Sequence, residues 1–124
     1  MIPFAHASLD GVLTEKKTGR KGILEIKTTS ILQSMQKEKW RDRIPSNYYC
    51  QILWYMGVTC CDFAVLKAQL KFDYGGEIRL TTRHYIIERE EVQEDIDYLL
   101  KAGAEFWENV KAKKRPALVL PSLD

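Results

Sequence analysis

Gly22-Ile23-Leu24-Glu25-Ile26-Lys27-Thr28-Thr29 is the stretch on which the fold turns. Apolar and polar residues alternate along it, which reads as a β-strand. Residues two apart in a strand share a face, so Glu25 and Lys27 lie side by side, roughly 7 Å apart along the chain. Leu24 and Ile26 point the other way and are expected to enter the core. Upstream, residues 7–14 (Ala-Ser-Leu-Asp-Gly-Val-Leu-Thr) read as a second strand, and the charged, glycine-containing stretch Glu15 to Lys21 joins the two as a hairpin turn. A turn folded around residues 17–20 brings Asp10 opposite the second strand, near Glu25.

Working outward, residues 30–44 are polar and basic around Trp40 and read as a loop with room for one helical turn. Pro45-Ser46-Asn47 then opens an apolar stretch to about Gly57, expected to be a buried helix with Ser46 or Asn47 near its N-terminus. Cys61 to Leu70 and Glu77 to Ile87 are rich in β-branched and aromatic residues, and Asp73-Tyr74-Gly75-Gly76 separates them as the turn of an antiparallel pair. From Arg89 the spacing becomes helical: Val92, Ile96, Leu99, Gly103, Phe106 and Val110 recur at three- and four-residue intervals. Glu90, Glu91, Glu94 and Asp95 near its start, and Lys111, Lys113, Lys114 and Arg115 at its end, complement the helix dipole. A helix over about 89–115 and a tail over 116–124 follow, with Pro116 as the stop. The order β-β-α-β-β-α implies an α/β (α+β) domain with a mixed central sheet of about four strands flanked by helices.

At 124 residues the chain is expected to form a single domain, 1–124. A net charge of +2 makes no global case for nucleic acid, but the charge is uneven: residues 1–62 carry nine Lys/Arg against six Asp/Glu, and residues 63–124 ten against eleven. The excess lies in Lys16, Lys17, Arg20 and Lys21, then in Lys37, Lys39, Arg41 and Arg43, either a solvated turn and loop or a phosphate-binding surface. Cys50, Cys60 and Cys61 form no CxxC pair and have no histidine at ligand spacing, so reduced core thiols are expected. No apolar run approaches the roughly 20 residues that span a bilayer, and no signal-peptide h-region opens the chain. No membrane partner and a cytoplasmic location are therefore expected.

Two carboxylates meeting at one point repel unless a cation lies between them. Asp10 and Glu25 with Lys27 alongside therefore suit metal-dependent phosphodiester cleavage, in which the carboxylates hold a hard divalent cation and the lysine steadies charge on the phosphate. The same residues also suit a solvated strand face with a cross-strand Glu/Lys pair. His6, four residues before Asp10, is the histidine able to approach this point. In Tyr48-Tyr49-Cys50-Gln51-Ile52-Leu53-Trp54-Tyr55, a helix places Tyr48, Gln51, Ile52 and Tyr55 on one stripe. A glutamine there needs a partner, because an unpaired buried amide costs a few kcal/mol. Core backbone satisfies it, or else it faces a polar site.

The pattern D-x14-E-x-K resembles the signature of the PD-(D/E)xK nucleases. Ser8-Leu9-Asp10-Gly11, Leu24-Glu25-Ile26-Lys27-Thr28 and Tyr48-x-x-Gln51-x-x-x-Tyr55-Met56 together resemble the YqaJ-type viral recombinases, the phage alkaline exonucleases related to lambda exonuclease, over residues 4 to about 70. The resemblance implies a restriction-endonuclease-like core and a Mg2+-dependent nuclease, with Mn2+ as substitute, that degrades one strand of duplex DNA from its 5′ end. It implies double-stranded DNA ends and a phage single-strand annealing protein as partners, in a homo-oligomer. By position, Asp10 and Glu25 are the implied metal ligands with the Ile26 carbonyl, Lys27 the catalytic lysine, Gln51 the glutamine near the attacking water, and Tyr48 the aromatic one turn before it. Lys16, Lys17, Arg20 and Lys21, with Lys37, Lys39, Arg41 and Arg43, are expected to grip phosphates on either side of the cut, and Trp40 to stack on a base. The family carries a helical segment with a further acidic residue before the first motif, so such a region is expected to be missing from this chain or supplied by another. The rival expectations are a different PD-(D/E)xK endonuclease and a non-catalytic remnant serving as a DNA-binding or assembly module.

Overall fold

The computed structural model describes residues 3–31, 39–41 and 43–117. Its elements are β1 (Gly11–Thr14), β2 (Lys21–Ile31), α1 (Ser46–Thr59), β3 (Phe63–Tyr74), β4 (Glu77–Glu88) and α2 (Arg89–Lys111). They realise the expected β-β-α-β-β-α order in one mixed sheet, β1-β2-β3-β4. The β1–β2 and β3–β4 pairs are antiparallel and β2–β3 is parallel. A parallel pair needs a long crossover, and α1 lies within it.

The hairpin turns follow from their residues. Gly75 and Gly76 both hold positive φ (64° and 97°), as a two-residue primed turn requires. The Gly76 N–H donates to Asp73 Oδ1 at 2.9 Å, which fixes the turn. Between β1 and β2, Glu15 N–H donates to the Arg20 carbonyl at 2.9 Å, and Gly19 takes the left-handed conformation with φ 76°. The first strand is shorter than residues 7–14, and the second runs on to Ile31 because β3 pairs with it as far as Ile31↔Phe72.

α1 begins at Pro45, whose carbonyl accepts from the N–H groups of Tyr48 and Tyr49, both at 3.0 Å. It ends at Cys60 in the left-handed conformation (φ 56°). Its Ile52, Leu53 and Met56 are fully buried against Ile23, Leu66, Ala68 and Leu70 of the sheet and Ile96 of α2. α2 has Glu90 and Glu91 in its first turn and Lys111 in its last, and it ends at Lys111 rather than at residue 115, with Lys113 at positive φ. Of its apolar stripe Ile96 is fully buried, whereas Phe106 and Val110 are exposed. Among the cysteines only Cys61 is a core thiol. Cys50 and Cys60 are exposed, contrary to expectation, because α1 turns Cys50 outward and ends at Cys60. Among the described residues no helix is long and apolar enough to cross a membrane.

The phase of the second strand is the main correction. Parallel pairing sets Ile23, Glu25 and Lys27 in register with Ala64, Leu66 and Ala68, all three of them buried. Glu25 therefore lies on the covered face at 3% exposure, while Ile26 is 49% exposed on the other face. The expectation that Leu24 and Ile26 fill the core is overturned, because β3 and α1 choose the face and not the local alternation.

At the start of β2 the Phe63 ring crosses Gly22 so closely that a Cβ there would lie 2.4 Å from the ring carbons. Gly22→Ala is therefore expected to destabilise the fold by about 1–3 kcal/mol, a fall in melting temperature of roughly 4–12 °C for a domain of this size. Thermal unfolding followed by circular dichroism checks it, and an unchanged midpoint would contradict the packing described.

Candidate active site

Hairpin register builds the site. The ladder ends at Gly11↔Leu24, so one step further Asp10 stands opposite Glu25. Instead of continuing as a strand, Asp10 uses its side chain: Oδ2 accepts the Ile26 N–H at 2.8 Å. In a strand the N–H and C=O of one residue point to the same side. The Ile26 carbonyl thus faces the edge that Asp10 occupies, away from β3.

Glu25 is buried, and its Oε1 has no hydrogen-bond partner among the described residues. Burial pushes its carboxyl above the ordinary carboxylate range, and the neighbouring Asp10 charge pushes it further. The Asp10 backbone N–H and the Lys27 ammonium pull partly the other way. Such a pair of oxygens, one of them orphaned, is a donor set for a hard cation.

Two residues along β2, Lys27 Nζ donates to Gln51 Oε1 of α1 at 2.6 Å and lies 5.0 Å from the centre of the Tyr48 ring. Gln51 Nε2 in turn donates to the Tyr55 hydroxyl at 3.0 Å. The helical stripe thus places Tyr48, Gln51 and Tyr55 against the lysine. Gln51 is satisfied by Lys27 and Tyr55, not by core backbone. Asp10 just before β1, Glu25, Ile26 and Lys27 of β2, and Tyr48 and Gln51 of α1 are therefore neighbours, the carboxylates and the lysine as spacing suggested and the helix residues as the resemblance implied. Tyr55 was not singled out for the site, although its position four residues after Gln51 on a helix marks it.

The expected nucleic-acid contacts fare differently. Trp40 is 3% exposed and packs between Tyr48 and Tyr85, with ring centroids 5.5 and 6.3 Å away. It is a core residue and has no free face for a base. Its carbonyl accepts from Arg83 Nη1, a contact for which the sequence carried no signal. Arg20 is held by Glu88 at 2.8 Å and Glu15 at 3.0 Å, which raise its pKa. Its guanidinium is thus engaged by two carboxylates. Lys16, Lys17 and Lys21 sit at the Thr14↔Lys21 end of the hairpin, with Lys21 about 13 Å along β2 from Glu25. They flank the opposite end of the strand from Glu25. Lys39 lines a cavity of about 150 Å3 with Thr29, Trp40, Pro45, Asn47 and Tyr48, the ring that Lys27 faces. Arg41 and Arg43 are exposed beyond it, and Lys37 lies outside the described residues. His6 joins no cluster of three His, Cys, Asp or Glu side chains among the described residues. Its carbonyl accepts from Trp54 Nε1 at 3.2 Å.

No curated protein and no solved structure matches the chain. Residues 2–62, the stretch that carries Asp10, Glu25, Lys27, Tyr48 and Gln51, do match the family model of the YqaJ-like viral recombinase domain, and this part of the chain is similar to that family.

Proposed function

We propose that the chain is the catalytic core of a Mg2+-dependent exonuclease that degrades one strand of linear duplex DNA from its 5′ end in a phage or prophage recombination system. The observation that carries this reading is the meeting of Asp10, Glu25, Lys27 and Gln51, with a Glu25 oxygen left without a partner among the described residues. Asp10 and Glu25, with the Ile26 carbonyl, would hold the divalent cation. Bound there, the cation would polarise the phosphate and supply hydroxide near neutral pH. Gln51 fixes Lys27 Nζ from one side and Tyr48 offers its ring from the other, so the ammonium has little freedom when a phosphate arrives. It is then placed to stabilise negative charge that develops during cleavage. Gln51 adds an amide beside that point without adding charge. In this reading the partners are duplex ends, further copies of the chain, and an annealing protein that takes the strand left uncut.

The experiment is digestion of a 5′-labelled linear duplex in millimolar Mg2+ or Mn2+. Early release of labelled mononucleotide, with closed circular duplex left intact, is the expected result. Cuts in the circle would point to an endonuclease of the same superfamily. No release with either metal would point to the non-catalytic reading.

A further inference from the structure

The β3–β4 hairpin is much longer than the sheet it belongs to. β2 ends at Ile31, opposite Phe72, and among the described residues no third strand pairs with the hairpin beyond that point. Residues 77–82 are all exposed. Lys27 is level with Ala68, so the turn at Tyr74 lies six residues, or roughly 20 Å, further along the same strand.

What this arm carries is specific. Side chains alternate along β3, and Ala68, Leu70, Phe72 and Tyr74 share the face that holds Lys27. Phe72 packs on the core at the arm's root. Tyr74 stacks on Phe72 with ring centroids 6.0 Å apart and an interplanar angle of 11°, and it remains 54% exposed. Arg79, the partner of Phe72 across the hairpin, lies over the Tyr74 ring at 5.6 Å. Its ion pair with Glu77 is long, 3.4 Å, and two-thirds exposed, so it holds the guanidinium weakly. On this face the hairpin carries Arg79 and Arg83 against Glu77, with Arg83 donating to the Trp40 carbonyl at the root, while Lys67, Lys71 and Asp73 alternate onto the other face. Stacked aromatics topped by a cation match the chemistry of an unpaired nucleic-acid strand: bases stack on rings while phosphates meet the guanidinium.

We propose that the outer β3–β4 hairpin, beyond the covered core, is an arm that binds an unpaired DNA strand. The choice of DNA rests on the nuclease reading of the site, but binding by the arm does not depend on cleavage. An exonuclease that cuts one strand of a duplex must part the two at the end. The arm offers a stacking surface to one of them, roughly 20 Å along β3 from the level of the lysine.

The test is fluorescence anisotropy with a labelled oligothymidine of about 20 nucleotides in EDTA, so that no cleavage occurs. Tyr74→Ala and Arg79→Ala are each expected to weaken binding by about 5- to 30-fold, and Tyr74→Phe to retain it. Arg79→Ala should also lower the log–log salt slope by about 0.7. Glu77→Gln, which frees Arg79 from its carboxylate, should tighten binding, a gain that misfolding cannot produce. Affinities of Tyr74→Ala and Arg79→Ala within twofold of the parent, or no gain in Glu77→Gln, would overturn the arm. If these variants lose the oligonucleotide as expected while the parent releases no nucleotide from linear duplex with either metal, the arm stands and the exonuclease reading falls.

Discussion

Lys27→Ala is expected to slow cleavage of linear duplex DNA by about 100- to 1000-fold, the usual consequence of removing one charge-stabilising donor from a hydrolytic site. The lysine is a donor, not a metal ligand, so a rise in melting temperature with millimolar Mn2+ should survive the substitution. The loss should fall on kcat more than on KM, because the ammonium matters most where charge develops. Lys27 Nζ is held by Gln51 Oε1 at 2.6 Å, so Gln51→Ala should give a smaller loss of the same kind by loosening the lysine. Turnover of Lys27→Ala within tenfold of the parent would remove the lysine from the chemistry.

Glu25→Gln should abolish metal-dependent cleavage and yet make the metal-free protein more stable at neutral pH. The Glu25 carboxyl, raised by burial and by Asp10, keeps its proton more tightly in the folded chain than in the unfolded one. The folded state thus binds more protons between the ordinary carboxylate value of 4.5 and the raised one. Stability falls as pH rises through that window, and the deficit persists above it. An amide carries no charge, so the variant should lack the fall. A divalent cation favours the ionised pair and should therefore stabilise the parent at neutral pH but not the variant. Melting curves across pH, with and without Mn2+, test both statements. A metal-free variant less stable than the parent at neutral pH would mean that Glu25 is not an electrostatic burden in the empty site.

Element types were legible in the sequence because their signals were local. Gly75-Gly76 between two β-rich runs marks a hairpin, and the period of Val92, Ile96 and Leu99 marks a helix. Part of the candidate site's geometry was legible, because β spacing joins Glu25 to Lys27 and hairpin pairing joins Asp10 to Glu25, whereas only the family resemblance implied that the stripe of Tyr48 and Gln51 would meet them. The burial phase of β2 was not legible. Leu24 and Ile26 are the apolar members of Leu24-Glu25-Ile26-Lys27, yet Glu25 is the buried one, because register with Leu66 is set by a strand some 40 residues away. Trp40 misled for a similar reason. Flanked by Lys39 and Arg41 it looked like a surface aromatic, but Tyr48 and Tyr85 from two distant elements enclose it. Arg20 sat in a basic run with nothing local to show that Glu88 would capture it. Charge runs show how many cations a surface has, and only tertiary contacts show which are already paired.

The central claim is that Asp10 and Glu25 together hold a divalent cation next to Lys27. Anomalous diffraction from crystals soaked in Mn2+ tests it most directly. A peak between the Asp10 and Glu25 carboxylates, beside the Ile26 carbonyl and absent from crystals of Glu25→Gln, is the predicted result. Manganese bound elsewhere, with that position empty in crystals of the parent protein, would contradict it.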